Sequence, residues 1–380
     1  MRPETAQKMI NLKQKLQDVN PGSTRAIIGF DGFVDEIVHV VDKRIDAETF
    51  VRLDSMADYG EKIRKSAGLS TNVEMVTVKQ KLGGNGPIFA NALIEYGLDL
   101  TYIGSIGLPA IHPVFRDMVA RCKGVGIANP GLTDAIEFLD GKIISGKLES
   151  LKKISWASIL EQVGLEEFIR IINDSDLIGF ENWTMIVNMS DIWKHILAEV
   201  LPKLKKRDRK PVLFIDLADP EKRSANDISE ALDLIDQFTG SFKVIFGLNK
   251  KEACEIASIL GLPVHTDDFD AQALQPLAEF IFAKMKVDAV VIHPVREACV
   301  VTRDGFCRVA GPYCQKPKLT TGAGDNFNAG FIFGVTMGLA MEESLILGTA
   351  TSGYYVRNAH SPDLAGIMEF LEDWSKDNLE

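Results

Sequence analysis

The chain has 380 residues, 46% of them apolar and 25% charged, the balance of a globular fold with a large core. A formal net charge of −11 with a single short basic run, 203–210, argues against a nucleic-acid partner; that run reads as a solvated helix end. No stretch approaches the ~18–20 apolar residues of a membrane span. The polar start MRPETAQKMINLKQKLQ lacks the apolar region of a signal peptide. Cys122, Cys254, Cys299, Cys307 and Cys314 are odd in number and form no C-x-x-C pair. Reduced thiols and a cytoplasmic location are therefore expected.

In chain order, residues 4–19 predict an amphipathic helix that stops at Asn20-Pro21-Gly22. AIIGF follows as an apolar strand, with Asp31 and Asp35 expected just past its end. Ligands of open α/β sheets gather at the carboxyl ends of strands, where carboxylates accept hydrogen bonds from hydroxyls. A turn carboxylate has the same signature. Residues 39–45 and 72–81 alternate as strands, with a helical stretch at 54–66 between them. TDAIEFL and KIISGKL flank Asp140-Gly141, a strong hairpin signal. Residues 87–96 predict a buried helix behind Gly83, Gly84 and Asn85.

From Thr101 onward strands and helices alternate: TYIGSIG, HPVFRDMVARC, DLIGFENW, MSDIWKHILAEVLPKL, VLFIDLAD, ISEALDLIDQF, KVIFGLN and KKEACEIASIL. LAEFIFAKM, AVVIHP and ACVVTRDG continue the series. This pattern predicts βαβ units and a largely parallel sheet with helices on both faces. His293, at a strand end, reads either as a ligand contact or as a satisfied histidine. Helices at 342–357 and 363–376 close the chain.

The stretch 320–330, TTGAGDNFNAG, carries the chemistry. Gly322-Ala323-Gly324 leave the backbone uncovered, and Asp325 stands where a helix begins. A helix N-terminus attracts anions, and small residues let a phosphate approach the main chain. A carboxylate beside that anion suits a base that deprotonates a hydroxyl about to be phosphorylated. The same spacing is also that of an ordinary N-cap. Asn249 and Glu252, at i and i+3, share a helix face. Glu252 can hold a water on Mg²⁺, and Asn249 can donate to phosphate oxygens. They also have the form of a capping box.

Residues 320–327 resemble the DTxGAGDxF signature of the ribokinase or PfkB family of carbohydrate kinases. GGNGPIFANALIEYG, 83–97, resembles the family's glycine-pair motif, and Asn249-Lys250-Lys251-Glu252 its NxxE motif. The resemblance implies a ribokinase-like three-layer α/β/α core with a mostly parallel sheet. It implies one kinase domain over 1–380, with a small β-sheet lid from about 36–82 and 130–150. A lid would exclude water as a competing acceptor. It implies ATP-dependent phosphorylation of a sugar hydroxyl, with a nucleoside kinase or an impaired ligand-binding homologue as alternatives.

By that resemblance Asp325 is the base, and the amides of Gly322, Ala323 and Gly324 form the anion hole. Asp35, or alternatively Asp31, grips the sugar together with Gly83, Gly84 and Asn85. Asn249 and Asn328 are assigned to ATP, and Glu252 and Asp216 to Mg²⁺. A homodimer through the lid is the implied assembly. The sequence departs from the family pattern at Ile88, where an asparagine binds substrate. Asn85 or Asn91 is the expected replacement. Pro294, Val295 and Ala298 replace glycines of the nucleotide loop. Leu319 replaces an aspartate near a monovalent-cation site, which leaves potassium activation open.

Overall fold

The computed structural model describes residues 3–264 and 273–379. Strands are numbered in chain order. Among the described residues, a large sheet runs β14 (Gly305–Ala310), β13 (Glu297–Thr302), β12 (Ala289–Ile292), β11 (Lys243–Leu248), β10 (Val212–Asp216), β9 (Leu177–Glu181), β1 (Arg25–Gly29), β5 (Asp99–Gly104), β6 (Lys123–Gly126). From β12 to β6 every pairing is parallel; β13 and β14 add an antiparallel edge.

Alternation along each strand feeds two cores. Ile27 enters one with Phe168, Trp193 and Leu232 from helices Leu165–Asp174, Met189–His195 and Ala225–Phe238. Its neighbour Ile28 enters the other, with Phe89, Phe331 and Ile346. Those come from helices Asn85–Glu95, Ala323–Thr336 and Met341–Asn358. Both faces are thus covered by helices, the expected three layers. No helix among the described residues is long and apolar enough to cross a membrane.

A second, smaller sheet runs β3 (Phe50–Arg52), β2 (Phe33–Arg44), β7 (Gly131–Glu137), β8 (Lys142–Lys147), with β4 (Met75–Gly83) also paired to β2. Asp35 lies inside β2 rather than in a loop beyond β1. The inserted helix Met56–Lys65 has a clear packing role: its Tyr59 joins Val38, Val40, Ile136 and Phe138 in a third apolar cluster.

One expected helix is largely replaced. Residues 112–122 form only a 3₁₀ turn, Pro113–Phe115, and a single helical turn, Arg116–Val119, before edge strand β6. The glycine-rich KGVG carries no apolar alternation that would announce a strand.

Candidate active site

Sheet twist and strand register bring the carboxyl ends of β1, β9 and β10 side by side beneath two helix N-termini. Asp31 follows β1, Glu181 ends β9, and Asp216 ends β10 directly opposite it. Helix Asn85–Glu95 points its N-terminus at Asp31. The Asp31 carboxylate accepts the Asn85 and Gly86 amides at 3.0 and 2.9 Å and the Asn182 side-chain amide at 2.7 Å. Asp31 is fully buried, and desolvation raises its pKa to about 6 against those bonds. It caps a helix; the sugar-gripping alternative does not fit a side chain so enclosed.

Helix Ala323–Thr336 supplies the second N-terminus. Its N-cap Gly322 sits at φ +91°, and a Cβ there would lie 2.9 Å from the Tyr355 hydroxyl. That hydroxyl donates to the Thr321 carbonyl at 2.9 Å, so the turn is pinned from the Met341–Asn358 helix. Asp325, in the first turn, accepts a 2.9 Å hydrogen bond from Asn85 Nδ2. Burial first, then the charges of Asp31 and Glu252, lift its pKa to about 7; the Asn85 bond opposes the rise.

The turn separates two cavities. One, about 300 Å³, lies under the small sheet and is bordered by Asp35, Asn85, Thr133, Gly322 and Asp325. The other, about 380 Å³, is bordered by Asn249, His293, Tyr313, Ala323, Gly324 and Phe327. Gly83 has to be small: a Cβ there would lie 2.3 Å from an Asp35 oxygen. Ile88 and Leu319 give the first cavity apolar walls. Asn91 faces elsewhere and accepts from Arg121 at 2.7 Å, so of the two only Asn85 borders the first cavity.

Two expectations need correction. The Ala323 amide is not open to an anion: it donates to the Thr320 carbonyl at 3.1 Å, a 3₁₀-type bond that tightens the helix start. Among the described residues the Gly322 and Gly324 amides meet no such acceptor. Asn328 does not border the second cavity. It lies buried one helical turn beyond Asp325 and donates to Asp216 at 2.9 Å.

Asn249 and Glu252 do form the capping box, with amide bonds of 2.8 and 3.0 Å. The Glu252 carboxylate accepts a second N–H, from Asp219, at 3.0 Å. Ala218 and Asp219 reach this geometry at φ +57° and +61°, left-handed backbone at a strand end. Burial, then the Asp216 charge, raises Glu252 to about 8; burial, then Asp325, raises Asp216 to about 7. His293 is not satisfied at its ring: Nε2 is buried without a partner among the described residues, and burial lowers its pKa to about 4.

Glu181 was not anticipated. It is fully buried, neither oxygen has a partner among the described residues, and burial beside Asp216, Asp325 and Asp31 raises its pKa far above the usual range. Its signal was available: the polar pair Glu181-Asn182 ends a strand otherwise wholly apolar. Lys81 and Lys142, which also border the first cavity, were missed because surface strands are commonly lysine-rich. Asp219, Glu221 and Glu255 form an acidic trio nearby. Lys251 contacts all three, at 2.6, 2.5 and 3.5 Å.

A family model described as prokaryotic ketohexokinase matches residues 2–374. The ketohexokinase of Haloferax volcanii is 28% identical over 352 residues, covering 92% of this chain and 91% of that one. Ribokinase of Arabidopsis thaliana, solved with ribose and ATP, superimposes with a TM-score of 0.60 at 15% identity, over 92% of this chain and 99% of that one. Phosphofructokinase-2 of Escherichia coli superimposes at 0.59 with 13% identity, over 92% and 98%. At those identities the two structures establish the fold alone.

Proposed function

The chain belongs to the prokaryotic ketohexokinase family and is a sugar kinase, and we propose that it transfers the γ-phosphoryl group of ATP to a hydroxyl of a ketohexose held under the small sheet. One observation carries this placement. The buried Asp325 carboxylate borders one cavity while the adjoining Ala323 and Gly324 border the other. A base and an anion-binding backbone therefore meet on the wall between two ligand-sized spaces.

In this reading Asp35, with Thr133 beside it on β7, accepts hydrogen bonds from sugar hydroxyls. Asn85 fixes the Asp325 carboxylate and contributes its remaining capacity to the sugar. The small sheet is the lid, and its closure keeps water from the reacting phosphorus. Asp325 takes the hydroxyl proton as the oxygen attacks, and the Gly322 and Gly324 amides stabilise charge on the group in transit. The nucleotide lies in the second cavity, with Asn249 toward its phosphates and the apolar Pro294, Val295 and Tyr313 toward its base.

The donor set fits Mg²⁺. Glu252 and Asp216 offer hard oxygen ligands, and magnesium binds few carboxylates directly. Glu252 already accepts N–H groups on both oxygens, so it suits a metal-bound water better than the metal itself. Mg²⁺ would supply neutralisation of the phosphate oxygens. The Leu319 side chain offers no oxygen to a monovalent cation. We also read the enzyme as cytoplasmic, since its five cysteines are free thiols. A homodimer through the small sheet is supported by exposed Val78 and Leu132, and sedimentation of the purified chain tests it.

An ATP-consumption assay with Mg²⁺ across ketohexoses, aldohexoses and nucleosides tests the acceptor. Turnover with ketohexoses is the expected result, and preference for a nucleoside would overturn the proposal. Replacing Asp325→Asn should lower kcat by ~10²–10⁴. Unchanged turnover in that variant would remove Asp325 as the base.

A further inference from the structure

We propose that Lys142 is a further catalytic residue, carried by the small sheet to the mouth of the 322–325 turn, where its ammonium neutralises the phosphoryl group in transit. The inference rests on the reading of the two cavities given above.

Lys142 opens β8, directly after the Asp140-Gly141 turn, and pairs across the hairpin with Glu137. Its Nζ donates to Thr321 Oγ1, one residue before Gly322. The contact joins the small sheet to the anion-binding turn of the large one. Lys142 also borders the acceptor cavity with Asp35 and Asp325.

Charge balance gives this placement its meaning. The cavity's ionisable lining is Asp35, Glu137, Asp325, Lys81 and Lys142. Behind it lie the buried carboxyls of Asp31, Glu181 and Asp216. A phosphoryl group spreads negative charge over three equatorial oxygens as it transfers. Such a group would add negative charge to a lining in which carboxyls already outnumber lysines three to two. The turn opposes this with few amides, since the Ala323 N–H is already committed. Lys81 lies 3.9 Å from Asp35 and belongs to that pair. Lys142, among the described residues, forms no ion pair within 4.0 Å and rests on a neutral hydroxyl. That bond is easily exchanged for one to a phosphoryl oxygen, which is a far stronger acceptor.

The insertion supports the hairpin that carries Lys142. Asp140 accepts the Met56 amide at 2.8 Å and the Ser55 hydroxyl at 3.2 Å. The Leu139 amide donates to the Asp54 carbonyl at 2.7 Å, and Phe138 packs on Tyr59 with ring centres 5.5 Å apart. Residues 54–59 therefore hold the turn from its outer side.

In the step itself the acceptor O–P bond forms and the bond from the γ-phosphorus to the β,γ-bridging oxygen breaks. The leaving ADP keeps that electron pair. The alcohol proton goes to Asp325. Lys142 keeps its own proton throughout and contributes charge only.

The test uses the full chain with Lys142→Met and Lys142→Arg, and Lys142→Gln as a second neutral variant should the first fail to fold. The neutral variant should lose about 10²-fold in kcat with an unchanged melting midpoint, and with both KM values within about threefold. Lys142→Arg should recover at least about a tenth of wild-type kcat, because it restores the charge. Inhibition by ADP with aluminium fluoride and ketohexose should weaken by about tenfold or more in the neutral variant, while ADP alone binds as before. A kcat within about threefold of wild type, or a loss confined to KM for the sugar, would overturn the proposal. The two readings fail separately. An inactive wild type sinks the kinase assignment and this inference with it, whereas an active wild type with an unimpaired neutral variant sinks only the role of Lys142.

Discussion

Asn85 and Asp325 stand 240 residues apart in the chain, and the Asn85 side-chain amide donates to the Asp325 carboxylate at 2.9 Å. The bond ties the N-termini of two helices together and favours the ionised form of Asp325, the proposed base. Asn85→Ala removes the interaction that holds the Asp325 pKa down. The acidic limb of kcat/KM should then move to higher pH. Activity should fall by roughly tenfold at pH 7 and recover substantially near pH 9. A uniform loss at every pH would show that Asn85 only contacts the sugar.

The wild-type profile follows from the same carboxylate. Burial raises Asp325 to about 7 in the free protein, and a protonated base cannot accept the hydroxyl proton. The logarithm of kcat/KM should therefore fall with unit slope below about pH 7 and level off above it. A pH series at saturating Mg²⁺ measures this. A flat profile from pH 5 to 8 would contradict a base of that pKa.

Glu181 gives a stability prediction of opposite pH sense. Its folded-state pKa lies far above the unfolded value of about 4.3. The stability associated with its proton is thus fully present below about pH 4.3 and is lost as pH rises toward the folded value. Glu181→Gln keeps the shape and removes the titration. The variant should match wild type in melting midpoint near pH 4 and exceed it by a few degrees at pH 8, without nucleotide or Mg²⁺. Equal midpoints at both pH values would mean that Glu181 is solvated or paired in solution.

Asp140 tests the support of the hairpin. Asp140→Ala removes the acceptor for the Met56 amide while leaving every cavity-lining side chain in place. It should lower kcat severalfold. Combined with Lys142→Met it should add little, since both changes remove the same delivered charge. Fully additive losses would separate the brace from Lys142.

Much of this architecture could be read from residue order alone. Apolar runs separated by amphipathic segments fixed the parallel sheet and its two helical layers, because burial on both faces leaves no other pattern. The 322–325 turn and Asp325 were legible for a local reason: a helix N-terminus and its small residues are contiguous in sequence. The Asn249–Glu252 box was legible on the same ground, and both of its readings are compatible with the geometry.

What the tertiary structure alone decided was long-range. Asp31 and Asp35 look alike in sequence, but one is enclosed by the amides of a distant helix and the other lines a cavity. The resemblance assigns Asn328 to ATP, whereas helix phase turns it toward Asp216. Glu181 and Lys142 carry no local motif, because their roles come from electrostatic fields summed over several strands. Local order determines which backbone groups stay unpaired at a turn or helix end. Only packing determines which charges share one low-dielectric space, and that sharing sets the chemistry of this site.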